Sequence, residues 1–225
     1  MYEKCIKRII DILFSFLALL LLSPVFLVLV VLGVVKLKGN PFYIQHRPGK
    51  DERIFPMIKF RSMTEEKDAQ GNYLPDEQRL TRYGRFIRGT SLDELPELLN
   101  IFVGHMSIVG PRPQLVRDMV FMTPEQRERH SVRPGLTGLA QVSGRNALRW
   151  ENKLQLDLEY IQNITFAADA RIVIKTAKIL IFGGEAGSDE TEVTDDYGDY
   201  LLKKGAIDQA VYEDKQQEAK ELLKV

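Results

Sequence analysis

The sequence predicts a mostly helical α+β protein with one small β-hairpin and an N-terminal helix set in a membrane. Three observations predict it. Residues 12–35 carry no charged side chain. Two β-prone runs, 41–46 and 53–60, flank a Pro48-Gly49-Lys-Asp-Glu turn signal. The later apolar runs repeat at helical spacing.

The uncharged run comes first. At about 1.5 Å per residue, a straight helix of that length just crosses a bilayer core of about 30 Å. Ser23-Pro24 sits at its midpoint. Pro24 cannot donate to the carbonyl of Leu20, and its ring pushes the helix to bend. The Ser23 hydroxyl is placed to satisfy the freed carbonyl, which makes the break tolerable in lipid. Lys4, Lys7 and Arg8 precede the run, and Lys36, Lys38, Arg47 and Lys50 follow it. Positive residues at both flanks fit two cytoplasmic ends better than one. The expectation is a re-entrant helix over residues 1–38 that turns at Ser23-Pro24. A straight, proline-kinked span is the alternative. A cleaved signal peptide fits less well, because the run is long and no Ala-x-Ala site closes it. A buried helical hairpin in a soluble core fits least.

Residues 39–183 are then expected to form the cytoplasmic domain. Pro56 has to sit at an edge or bulge of the hairpin. Residues 64–75 are polar, with Gly71-Asn72 and Pro75, and are expected to form a mobile loop. Residues 76–87 follow as one helix carrying Arg79, Arg82, Arg85 and Arg88 at three-residue spacing. Leu95, Leu98, Leu99, Phe102 and Val103 form an apolar helical stripe that Gly104 ends. Thr123-Pro124 opens a further helix as N-cap and first position. Residues 133–145 hold Gly135, Gly138 and Gly144 among Thr137, Gln141 and Ser143, a loop able to offer amides and hydroxyls to a nucleotide, with Trp150 as a stacking face. A structural connector is the alternative. Residues 154–163 are helical, with Asp157 and Tyr160 on one face. Residues 171–182 place Arg171, Lys175 and Lys178 beside an apolar face, the pattern of a helix in a membrane interface. From residue 184 the chain is a polar, acid-rich extension ending in a charged helix, with no chemistry assigned.

Composition excludes several classes. Thirty-one basic residues balance 31 acidic ones, so global charge gives no argument for nucleic acid. Cys5 is the single cysteine, and His46, His105 and His130 lack zinc-ligand spacing. The glycine-rich nucleotide loops and the serine-hydrolase elbow are missing from the sequence.

The chemistry concentrates at residues 88–100, where Asp93 and Glu94 stand side by side. Arg88 lies ahead of them, and the rigid turn Gly110-Pro-Arg-Pro113 presents Arg112 behind them. Lys59 and Arg61 bracket Phe60 upstream. Cations hold phosphate oxygens, and carboxylates hold a metal or attack phosphorus. A plainer reading stands beside this one. Ser91 and Glu94 have the spacing of a capping box, and acids suit a first helical turn. Pro96 complicates it by removing an amide, so the helix is expected to start later or to kink.

The chain resembles the small bacterial sugar transferases, the monotopic phosphoglycosyl transferases. The resemblance runs from Lys7-Arg-Ile-Ile-Asp11 and Ser23-Pro24 to about residue 182. It is carried by Lys59-Phe-Arg-Ser-Met63, Thr81-Arg-Tyr-Gly-Arg-Phe-Ile-Arg88 and Thr90-Ser-Leu-Asp-Glu-Leu-Pro-Glu-Leu-Leu-Asn100. Met106-Ser-Ile-Val-Gly-Pro-Arg-Pro113 and Arg133-Pro-Gly-Leu-Thr-Gly138 complete it. The resemblance implies a re-entrant helix and a helical domain on the cytoplasmic face of the bacterial inner membrane, both termini cytoplasmic. It implies transfer of a sugar phosphate from a UDP-sugar to undecaprenyl phosphate, releasing UMP and using Mg²⁺. It implies Asp93 as nucleophile, with Glu94 and Asp93 at the metal. Lys59, Arg88 and Arg112 would lie near the phosphates, and Arg145 near the nucleotide. Short length is most similar to the members that start N-glycan assembly, which suggests N,N′-diacetylbacillosamine as the sugar. Other UDP-hexoses for capsule, O-antigen or exopolysaccharide remain open. Phospholipid and downstream glycosyltransferases are the implied partners. The rival of another class is a membrane-surface scaffold whose arginines bind anionic lipid.

Overall fold

Pro24 lies inside one long helix, α1 (Lys7–Leu37), which a π-turn at Tyr2–Ile6 precedes. The computed structural model describes residues 2–144, 148–182 and 195–224. Helical geometry continues on both sides of Ser23-Pro24, and the Ser23 hydroxyl donates to the Leu20 carbonyl at 2.8 Å. That carbonyl is the one Pro24 leaves without its helical donor, so the local chemistry matches the expectation from sequence. α1 is long and apolar enough to cross a membrane by length and composition. Leu20, Leu21, Leu27 and Val35 are each more than 60% exposed on the isolated chain. Such surface is unfavourable in water by about 25 cal/mol per Å².

The chain packs as two compact units. One comprises Asp11–Gln45 and Met57–Val103. The other comprises Met1–Ile10, His46–Pro56 and Gly104–Val225. Strands β1 (Phe42–Pro48) and β2 (Ile54–Phe60) pair as the expected hairpin, with Pro56 exposed.

In the first unit, Phe60 stacks on Phe42 at 5.4 Å and meets Phe26 at 5.0 Å. Leu29 of α1, Phe60 and Ile87 form its buried centre, with Leu92 and Leu95 packed against them. The arginine ladder is not one helix. It splits into α2 (Asp76–Arg79) and α3 (Arg82–Gly89). Leu80 is extended, and the Thr81 side chain caps α3 by accepting from the Gly84 amide. A capping threonine mid-sequence outweighed the periodicity. The polar stretch before it is internally bonded: Met63 bridges Leu80, Lys67 bridges Tyr73, and the Asp68 carboxylate accepts from the Gln70 and Asn72 amides. The cations of Lys67 and Arg79 lie over the Tyr73 ring, at 4.9 and 4.6 Å. α4 (Glu97–Val103) closes this unit.

In the second unit, β3 (Ser107–Val109) pairs parallel with β4 (Gly135–Thr137). Around them lie α5 (Val116–Met119), α6 (Pro124–Arg127), α7 (Leu139–Ser143), α8 (Trp150–Gln162) and α9 (Phe166–Phe182). Val109, Val142, Tyr160 and Ile172 make one core cluster. Thr123 and Gln126 form the capping box that opens α6. The exposed side of α9 includes Phe166, Ile174, Leu180, Ile181 and Phe182. Within residues 184–225, α10 (Tyr197–Lys203) and α11 (Gln209–Leu222) fold into this same unit. Asp118 of α5 accepts from the Tyr197 amide at 2.9 Å, and Ala219 packs with Val116, Met119 and Val120.

The glycine-rich stretch is not an open loop. Gly135 and Gly138 are buried, and a Cβ on either would sit 2.1 Å from backbone atoms of Gly110. The glycines let two backbones meet, and the amides are spent there: Gly110 donates to Thr137, and Gly135 to Pro111, both at 2.9 Å. Trp150 is likewise no stacking face. It is buried against Tyr197, and its indole N–H donates to the Asp195 carbonyl. Gly135→Ala is therefore expected to lose about 3 kcal/mol or more, or to fail to fold. Gly89→Ala, with nothing within 4 Å of the added Cβ, is expected to be neutral or slightly stabilising. Thermal melts of the two variants check this.

Candidate active site

The acid pair sits where the chain cannot make a regular helix. Ser91 takes a left-handed conformation (φ 56°, ψ 18°) and makes no side-chain cap. The capping-box reading is thereby corrected. A short 3-10 turn, Leu92–Glu94, follows, and Pro96 separates it from α4. Proline has no amide to carry the turn on, so the helix starts after it. Leu92 and Leu95 face the core three residues apart. Their anchoring leaves Asp93 and Glu94 at the surface, each half-buried.

β2 brings the first cation. Phe60 points into the core, and Lys59 lies on the other side of the strand. Lys59 Nζ is 2.9 Å from Glu94 Oε1 and 3.1 Å from Glu97 Oε1. The strand is clamped to α4 by Asn100, whose Oδ1 accepts from the Ile58 amide at 3.0 Å. α3 brings the second cation. Arg88 Nε donates to the buried Ser62 hydroxyl at 2.8 Å, which aims the guanidinium from one edge. Two other ladder arginines have local duties: Arg79 donates to the Thr64 carbonyl and Arg85 to the Leu80 carbonyl.

Burial pushes the Asp93 carboxyl above the usual carboxylate range, and the neighbouring Glu94 charge pushes it further. Lys59, Arg88 and its own backbone amide pull the other way without cancelling the rise. Asp93 is therefore a carboxylate held at raised energy, which favours bond formation over idle solvation. Among the described residues no group of three or more His, Cys, Asp or Glu is arranged to hold a metal alone. Two adjacent carboxylates suit a hard divalent cation that takes its other oxygens from a phosphate and water.

Arg112 belongs to the second unit. The turn Gly110–Pro113 leaves β3 with both prolines buried and Arg112 exposed. The Arg112 carbonyl accepts from Arg129 Nη2 at 2.6 Å, and the Pro113 carbonyl accepts from Arg47 Nη1 at 3.2 Å. Arg145 lies outside the described residues.

Sequence reasoning passed over Glu97, Ser62 and Asn100. Glu97 was open to discovery, since it stands three residues beyond Glu94 and so one turn along. Ser62 and Asn100 give no such signal, because their partners lie 26 and 42 residues away.

The bacterial sugar transferase family model matches residues 2–183. The Bacillus subtilis protein named "Uncharacterized sugar transferase EpsL" is 46% identical over 182 residues, covering 80% of this chain and 89% of that protein. Exopolysaccharide production protein ExoY of Sinorhizobium fredii is 41% identical over 190 residues, covering 76% of this chain and 83% of its own. Undecaprenyl-phosphate galactose phosphotransferase of Salmonella typhimurium is 36% identical over 199 residues. That match covers 80% of this chain and 41% of the longer relative.

Proposed function

The chain belongs to the bacterial sugar transferase family, and from that membership we propose that it moves a sugar 1-phosphate from a UDP-sugar to undecaprenyl phosphate, through Asp93. The observation that carries this is the raised Asp93 carboxyl beside Glu94, with Lys59 and Arg88 as its cations.

In the first step an Asp93 carboxylate oxygen attacks the phosphorus next to the sugar. The bond to the bridging oxygen breaks, and UMP leaves with the electron pair. In the second step a phosphate oxygen of undecaprenyl phosphate attacks the same phosphorus. The acyl phosphate opens, and Asp93 returns as a carboxylate. Two half-reactions let a soluble donor and a lipid acceptor use one site in turn. Lys59 and Arg88 offset the charge that an anionic nucleophile meets at a diphosphate. Mg²⁺, held by Asp93 and Glu94, would supply further neutralisation of phosphate oxygens.

The names of the relatives speak of exopolysaccharide and galactose. They favour a UDP-hexose and polysaccharide initiation over UDP-N,N′-diacetylbacillosamine and N-glycan assembly. Incubating the protein with labelled UDP-sugars and no acceptor tests both points. The expected result is labelled sugar phosphate on Asp93 with release of UMP, strongest for a hexose donor. Full turnover with no adduct would instead indicate direct transfer in a ternary complex.

The membrane arrangement we propose is re-entrant, turned at Ser23-Pro24, with both ends cytoplasmic. Cys5 is exposed and is the sole cysteine, so it reports the side of the N-terminus. An impermeant maleimide is expected to label Cys5 in inverted vesicles and not in intact cells. Pro24→Ala is expected to shift part of the population to labelling from outside. Outside labelling of the unaltered protein would defeat the re-entrant reading.

A further inference from the structure

We infer that Asp169 decides on which side of the membrane the N-terminus lies, by anchoring the first turn of α1 to α8 and α9. The inference deepens the re-entrant reading and rests on it.

The segments on both sides of the apolar stretch belong to one compact unit. Met1–Ile10 and His46–Pro56 both pack with Gly104–Val225, which carries α8 and α9. Between those segments lies the helix that is long and apolar enough to cross a membrane. His46–Pro56 shares the stretch of chain beyond α1 with α8 and α9. Met1–Ile10 is joined to them covalently only through α1, so noncovalent bonds alone keep it against them.

Asp169 of α9 supplies those bonds. It is 6% exposed. Its Oδ2 accepts from Lys7 Nζ at 2.5 Å and from the Tyr2 hydroxyl at 2.7 Å. Its Oδ1 accepts from the Tyr160 hydroxyl of α8 at 2.8 Å. Tyr2 also meets Phe166 of α9 edge-on at 6.0 Å, and Lys7 Nζ lies 6.0 Å from the centre of the Tyr160 ring. Lys7 is the first residue of α1. Breaking such a pair leaves a charge buried and uncompensated, so it holds its two elements together far harder than a surface pair does.

Positive charge ahead of an apolar helix favours a cytoplasmic N-terminus by itself. The two causes part in what they require. The charge rule counts Lys7 wherever its partner is and gives acids little weight. The anchor needs opposite charges at 7 and 169.

The test uses the full chain and maleimide labelling of Cys5 in intact cells and inverted vesicles, with folding judged by melting curves. Asp169→Lys leaves the N-terminal flank unaltered and sets two cations together. Outside labelling is expected to rise about tenfold or more. Lys7→Asp is expected to raise it as well. Combining the two restores an ion pair of reversed sense. Labelling is then expected to return inside, although the flank is less positive than in the parent. Asp169→Asn serves if lysine at 169 prevents folding. It removes the charge, keeps an acceptor for the tyrosines and is expected to raise outside labelling by a smaller factor. No rise in a folded Asp169 variant would overturn the inference. So would outside labelling of the double variant as high as that of Lys7→Asp alone, since flanking charge would then be the cause. Outside labelling of the unaltered protein defeats the re-entrant reading itself, an outcome distinct from failure at Asp169.

Discussion

Asp93→Asn is expected to lower sugar-phosphate transfer by more than about 10³-fold and, at neutral pH, to raise the melting temperature. The first effect follows from the proposed chemistry: an amide in place of the carboxylate lacks the anionic oxygen that would form the acyl phosphate. The second follows from the raised pKa, caused first by burial and then by Glu94. A carboxyl whose folded pKa exceeds its unfolded value binds its proton more tightly when folded. It contributes nothing against stability below the unfolded value, about 3.9. As pH rises through the folded value, ionisation becomes harder in the folded state, and stability falls. The asparagine variant is spared this. Its advantage should therefore appear as pH rises above the ordinary carboxylate range and vanish in acid. Melting curves from pH 3.5 to 7.5 check the sign. A variant less stable than the parent at pH 7 would mean that Asp93 is held as a comfortable ion. The same shift places the acid limb of the transfer rate above the usual carboxylate range.

Lys59→Met is expected to have the next largest effect, through two routes that can be separated. Lys59 stands between Glu94 and the nearly buried Glu97. Removing it leaves three carboxylates in five residues without that cation. Losing one partner of a fully buried pair costs about 3–5 kcal/mol. Lys59 and Glu94 are partly exposed, so a loss of about 2 kcal/mol is expected after allowance for solvent screening. Transfer is expected to fall by about 10²-fold or more, because the charge proposed to meet the donor phosphates is lost from a half-buried site. Adding Glu97→Gln should restore much of the melting temperature and little of the rate. Recovery of both together would make Lys59 a counter-ion for folding only. Lys59 also lowers the Asp93 pKa. Its removal should move the acid limb of the rate to higher pH.

The separation between what was legible and what was not follows sequence distance. The helical character of α1, the β1–β2 hairpin, the late start of α4 after Pro96 and the Thr123 cap all depend on residues near one another in the chain. Propensity and spacing reported them correctly. The single helix expected over residues 76–87 failed because Thr81 supplied a competing local signal of similar strength. The nucleotide loop expected over 133–145 failed for another reason. Glycine marks close approach as readily as a bound ligand, and here the approaching group is the backbone of Gly110.

At the candidate site, the sequence by itself determined the groups proposed to react: the acid pair, the cations Lys59 and Arg88, and the proline that keeps Asp93 out of a regular helix. Tertiary structure alone decided how those groups are held. Ser62 aims Arg88, Asn100 clamps β2 to α4, and Glu97 shares Lys59. Chemistry is written in side-chain identity, which a sequence states outright. Aim depends on hydrogen bonds between residues tens of positions apart, and those exist only once the apolar core has fixed the elements that carry them.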